Sequence, residues 1–381
     1  MIIVIIIMVY FAVLMVISRW TSRRATNDTF YRAGRRSPWP MVAVGMVGAS
    51  ISGVTFVSVP GMVTATQMTY LQVCMGFIVG YVVVAFVLLP LYYRLQLTSI
   101  YSYLGSRLGR RSYLSAAWFF LLSKMAGSAV KFYVVCLVVQ QLAMDPLGVP
   151  FVVTALVLVM LIWLYTRRGG IGTLVYTDVL QTVCLFTALV LIIWQTVGQL
   201  GFTVSDAVRA VADSEMSRVF VTDNWRSPLF FWKEFLSGIF IVIVMTGLDQ
   251  DMMQKNLTCR SLREAQKDMC SYGVAFLPAN LLFLALGILI ILTGINATGD
   301  ALLPTYVQTA VHLSPASADS SLFTSISTDG RLPIDFHSSL PILFTLGIVA
   351  ASFSTADSAL TSMTTCFCVD ISGRPDDERP R

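Results

Sequence analysis

The stretch Ala350 to Met363 reads AASFSTADSALTSM and sets oxygen-bearing side chains into an otherwise apolar part of the chain. Ala351, Ser354, Thr355 and Ser358 follow i, i+3, i+4, i+7, so a helix puts them on one face with Asp357 at its edge. Such a stripe supports two readings. Small residues let a second helix come close. Alternatively, hydroxyls joined by free backbone carbonyls can replace the water around a hard cation such as sodium. A source of free carbonyls lies in Gly45 to Gly61, GMVGASISGVTFVSVPG, where Gly48, Ser50, Ser52, Gly53 and Pro60 weaken an apolar segment. Unwound backbone at membrane depth is tolerated only where it lines a cavity or is buried in protein. Asp178, at the start of another apolar run with hydroxyl neighbours, is the third candidate.

Other chemistry has little material. His312 and His337 are the two histidines and both fall in one loop, which leaves zinc and histidine catalysis without ligands. Cys74, Cys136, Cys184, Cys259, Cys270, Cys366 and Cys368 fall in apolar runs or in a stretch placed in the cytoplasm, so no disulfide framework is expected. No nucleophile and base pair stands out, so no catalytic residue is assigned. Asp249 and Asp251 beside Lys255 read as a solvated turn at a cytoplasmic helix end. Lys124 and Lys131, seven apart on one helix face, read as structural ion-pair partners or as lysines reaching for the interface, with Asp357 a possible partner.

The elements that must hold these residues follow from composition. The 381 residues are 56% hydrophobic and 12% charged, against roughly 25% charged for a soluble domain. A lipid bilayer is therefore the expected solvent. Apolar runs fall near 2–18, 41–62, 70–93, 114–142, 148–165, 171–197, 235–249, 271–295 and 339–368, nine spanning helices in all. Alternating sides along the chain, Arg19 to Arg36, Arg94 to Arg111, Arg167 and Arg168, Lys255 to Lys267, and Arg374 to Arg381 share one face. The other holds Arg209, Arg218, Arg226, Lys233 and Arg331. This positive-inside bias predicts a multi-pass cell-membrane protein with its N-terminus outside and its C-terminus in the cytoplasm. No basic patch interleaved with exposed aromatics points to nucleic acid.

Six fragments, in order and on the matching helices, resemble the sodium:solute symporter family. They are FYRAGR (Phe30 to Arg35), SISGVTFVSVPG (Ser50 to Gly61), TSIYSYLGSRLG (Thr98 to Gly109), GGIGTLVYTDVLQ (Gly169 to Gln181), GLDQDMMQKNLTCRSLREAQ (Gly247 to Gln266) and AASFSTADSALTSM. The resemblance implies an all-α integral membrane fold, a five-plus-five inverted-repeat bundle of the LeuT-like type with an extra N-terminal helix. Residues 1–18 would be that extra helix, 38–197 the first repeat, 235–370 an incomplete second repeat lacking core helices 9 and 10, and 371–381 a cytoplasmic tail.

The same resemblance implies a sodium site built from the carbonyls of Gly48, Ile51 and Ala351 and the hydroxyls of Ser354 and Thr355. It implies a possible second cation site at Asp178, Asp357 and Ser358, and solute contacts at Thr55 and Phe56, then Gln72 and Asn280. Many relatives carry Glu or Gln near position 54 or 55, where this chain has Val54 and Thr55. The function implied is sodium-coupled import of a small organic solute by alternating access, with co-transported sodium and no organic cofactor. A transport-inactive fragment or a solute-sensing membrane protein on the same scaffold is the alternative. The solute, the ion count and the oligomeric state are not readable from the residues.

Overall fold

The computed structural model describes residues 2–24, 26–95, 97, 99–167, 169–313 and 336–372. The expected tail lies outside these residues from 373 onward, as do Arg168, Arg331 and Thr98. Among the described residues the chain is helical, and each of the nine apolar runs has a helical counterpart.

The spanning elements are α1 (Ile2–Thr21), α2 (Trp39–Ser50), α3 (Gly53–Thr66), α4 (Tyr70–Arg94), α5 (Arg110–Val139), α6 (Phe151–Thr166), α7 (Ile171–Gln199), α8 (Phe231–Gly247), α9 (Gln250–Asn256), α10 (Leu262–Leu292) and α11 (Phe336–Thr365). Helices of about 20 residues cross a hydrocarbon core of roughly 30 Å. Six stretches meet that length alone, and two pairs meet it only together, α2 with α3 and α8 with α9. The 16-residue α6 is shorter.

The two pairs are bent by 65° and 74° at their breaks. In the first, Ile51 and Ser52 are extended, with ψ of 93° and 167°. Ser52 then caps α3 by accepting from the Thr55 N–H at 3.3 Å, which satisfies one of the donors a helix start leaves unpaired. Pro60, counted from sequence among the weakening residues, instead lies inside α3. There the Gly287 backbone of α10 approaches so closely that a Cβ at 287 would stand 2.1 Å from the Pro60 carbonyl oxygen.

The second break was not expected. The turn at Asp249 sends α9 back into the bundle, and Asp249 caps it by accepting from the Asp251 and Met252 N–H groups at 2.7 and 3.4 Å. Gln250, Asp251 and Met253 to Asn256 are consequently buried. The solvated turn expected around Asp249, Asp251 and Lys255 is corrected accordingly. Asp251 and Lys255 are interior residues, because the chain re-enters the protein after Gly247 instead of leaving it.

The α2–α3 pair sits at the centre, packed on α7, α10 and α11, while α7 and α11 pack on each other and α8 packs on α4. Two glycines permit the central approach. A Cβ at Gly48 would stand 1.9 Å from Thr182 Oγ1 of α7, and one at Gly53 would stand 2.0 Å from Ser352 Oγ of α11. Of the two long connections, one carries a capped helix, Val204–Ala212, and the other the helix Leu302–Leu313, which lies against α3 and α11.

Candidate functional site

The last carbonyls of α2 have no partner within the helix and carry its negative dipole end. One of them, at Ala49, meets the hydroxyl stripe of α11. Thr355 Oγ1 lies 3.3 Å from the Ala49 carbonyl oxygen of α2 and 3.2 Å from the Ala351 oxygen one turn back in its own helix. Of the expected set, Thr355 and Ala351 thus meet the end of α2 through Ala49, a carbonyl that sequence reading passed over, while Ser354 turns to Asp178. Gly48 and Ile51 are on the same terminal turn, Gly48 pressed on Thr182 and Ile51 fully buried.

Beside this cluster α7 contributes Asp178. Ser354 Oγ donates to Asp178 Oδ1 at 2.8 Å, and the Lys255 ammonium of α9 meets Asp178 Oδ2 at 2.7 Å. With its nitrogen turned inward, the Gln181 amide also donates to Asp178 Oδ1 at 3.2 Å. Thr182 Oγ1 donates to the Val44 carbonyl of α2 and to the Asp178 carbonyl at 3.1 and 2.6 Å. Asp357 accepts from Tyr165 OH at 2.7 Å and from Ser358 Oγ at 3.4 Å. Five elements, α2, α6, α7, α9 and α11, thus converge on a buried nest of oxygens holding two carboxylates and one ammonium.

The expected pairing of Asp357 with Lys124 or Lys131 is corrected. Lys124 bridges Asp249 and Asp251, at 3.1 and 2.7 Å, and Lys131 is exposed. The cation that does reach the nest is Lys255, counted from sequence among the cytoplasmic charges. Its one available signal was the repetition of the first break: a glycine ending an apolar run, then a capping residue, in Gly247-Leu248-Asp249.

The candidate solute residues lie on the other side of the break and differ in kind. Phe56 is fully buried, its ring 5.4 Å from Phe283 and 6.1 Å from Phe344 between centroids. Thr55 is partly exposed, and its hydroxyl sits 3.2 Å from the capping Ser52 Oγ. Gln72 is engaged with the connection ahead of α8, donating to the Leu229 carbonyl at 3.1 Å and accepting from the Val221 N–H at 3.2 Å. Asn280 of α10 donates to the Phe276 carbonyl at 2.8 Å, yet its Oδ1 is buried with no hydrogen-bond partner among the described residues. Leaving such an acceptor unpaired costs about 1–3 kcal/mol, which marks Asn280 as the group here with unused hydrogen-bonding capacity.

A cavity of about 230 Å³ lies elsewhere, between the end of α1, residues 29–37 and the start of α7, lined by Trp20, Arg36 and Tyr176 among others. None of the candidate cation or solute residues lines it.

A hydroxyl and two backbone carbonyls thus meet at the end of α2, and an ion pair spans α7 and α9. The model of the Sodium:solute symporter family matches residues 30–371. The sodium/sialic acid symporter SiaT of Proteus mirabilis is 26% identical over 372 residues, covering 94% of this chain and 68% of the relative. The sodium/iodide cotransporter of Homo sapiens is 25% identical over 244 residues, covering 64% of this chain and 37% of that protein. A solved structure of a Na+-coupled sialic acid symporter, described as a substrate-bound outward-open state with a novel Na+-site, superposes with a TM-score of 0.77 at 23% identity. It covers all of this chain and 77% of that one. The shared fold is the LeuT-like helical bundle with broken helices.

Proposed function

This chain belongs to the sodium:solute symporter family, a class of sodium-coupled multi-pass membrane transporters and not of enzymes, and from that premise we propose that it imports a small organic solute with sodium by alternating access. The observation that carries the reading is the meeting of Thr355 Oγ1 with the Ala49 and Ala351 carbonyls at the end of a broken helix. Sodium entering there would be held by the carbonyls of Gly48, Ile51 and Ala351 and the hydroxyls of Ser354 and Thr355. Bridging α2 to α11, it favours the state in which the two are joined, and release follows when they part. The coupling is the ion's differential affinity for two states, tenfold for each 1.4 kcal/mol. An inside-negative potential adds about 2.3 kcal/mol per sodium per 100 mV.

The solute belongs above the break, between Thr55, Phe56 and Asn280. Gly53 and Val54 start α3 with N–H groups that have no partner within the helix. A helix start favours negative charge, so a solute with a carboxylate or a similar acceptor suits this end. Sialic acid, transported by the Proteus relative by its name, heads the list to be screened. The two breaks fall at the first helix of each repeat when 38–197 and 235–370 are taken as the repeats, which supports that division. The charge bias supports an N-terminus outside and a cytoplasmic C-terminus.

The test is uptake into proteoliposomes under an inward sodium gradient, with choline replacing sodium as control. Uptake that ignores the gradient for every solute transported would overturn the reading.

A further inference from the structure

Resting on that reading, we infer that Lys255 is a resident cation at the second site: its ammonium occupies Asp178 in place of a second sodium and holds the chain to one bound sodium. The possible second site consists of Asp178, Asp357 and Ser358, and its first carboxylate is already fully engaged. Oδ2 meets Lys255 at 2.7 Å and Oδ1 accepts from Ser354 at 2.8 Å. Both side chains of the ion pair are sealed, Lys255 at 3% and Asp178 at 1% exposure.

A charge withdrawn from water this completely is tolerated only with a counter-charge at hand. Asp178 has one in Lys255. Among the described residues no other acceptor engages the ammonium. The second carboxylate, Asp357, is met by the hydroxyls of Tyr165 and Ser358. A sodium ion taking Asp178 Oδ2 beside the ammonium would put two cations on one oxygen, where like charges repel at close range. Occupation by one therefore opposes the other.

Placement favours the lysine. Lys255 lies on α9, the short helix that the second break turns into the bundle. The cation is therefore part of the fold, and its effective concentration at Asp178 is that of a tethered group. A free sodium must displace it and leave an ammonium buried without a partner. The pair also ties α9 to α7, so the same contact that sets the ion count fastens the re-entrant helix.

The test counts sodium, which requires no knowledge of the solute. Purified full chain in detergent is titrated with radioactive sodium at constant ionic strength, choline making up the balance. The wild type is expected to bind one sodium at saturation and Lys255→Gln two, since loss of the ammonium frees Asp178 Oδ2 beside Asp357 and Ser358. Lys255→Arg, which restores a cation, should return the count to one, as should Asp178→Asn combined with Lys255→Gln. Two sodium ions on the wild type overturn the inference, and that measurement needs no variant to fold. A monodisperse Lys255→Gln protein that still binds one sodium also overturns it while leaving the proposed function standing. A wild type that binds no sodium overturns the proposed function itself.

Discussion

Below the break in the first core helix the molecule is built of oxygen, and above it of aromatic rings. The lower region collects Asp178, Ser354, Thr355, Asp357 and Ser358 around the end of α2, with Lys255 among them. The upper one collects Phe56, Phe283 and Phe344, with the unpaired oxygen of Asn280 nearby in sequence on α10. One short break serves both. It leaves carbonyls at the end of α2 and N–H groups at the start of α3 without partners in their own helices, and in the proposed function the first serve a cation and the second an acceptor on the solute. Ion selectivity can then rest on oxygen geometry in the lower region, and solute selectivity on shape and a few hydrogen bonds in the upper.

Variants should separate ion binding from solute binding. The largest effect is expected from Ser354→Ala with Thr355→Ala, which removes both hydroxyls proposed for the main site. Sodium-dependent uptake should fall about 100-fold or more, each lost ligand contributing about 1.4 kcal/mol or more. Unchanged sodium dependence in that variant would break the comparison at its lower half.

Gly48→Ala should come next. Its Cβ would overlap Thr182, so either α2 or α7 must shift, at about 1–3 kcal/mol. Thermal unfolding in detergent should show the loss, together with weaker sodium binding because the end of α2 moves.

Asn280→Ala tests the upper half. Solute affinity should weaken about tenfold, about 1.4 kcal/mol, while sodium binding without solute stays within about twofold. Equal loss of both would merge the two regions into one site. The smallest functional effect belongs to Gln72→Leu, whose amide is committed to Leu229 and Val221. Stability should drop by about 1–3 kcal/mol from the two groups left unpaired, and sodium affinity should not move. A tenfold change in solute affinity there would return Gln72 to the solute pocket.

The lower region was more legible in sequence than the upper for a physical reason. Hydroxyls and carboxylates inside apolar runs are costly at membrane depth, so their presence demands an explanation. Phenylalanines in a span demand none, and Phe56 reads the same whether it meets a solute or only Phe283 and Phe344. Asn280 stood out weakly by type, and its spare acceptor oxygen emerged only from the packing around it. Lys255 was misread because a cation just after an apolar run normally marks the cytoplasmic face. Here the 74° bend at Gly247 to Asp249 carries it inward.

By itself the sequence determined the solvent, the nine helical runs, the charge bias and the stripe on α11. These depend on local period and residue type, which the chain carries wherever it goes. Only the tertiary structure decided that Lys255, 77 positions along from Asp178, is its partner, that Lys124 belongs to Asp249 and Asp251, and that Ala49 offers its carbonyl to Thr355. Such pairings follow from how two bent helices and their glycine contacts bring distant segments together, and no local pattern encodes that distance.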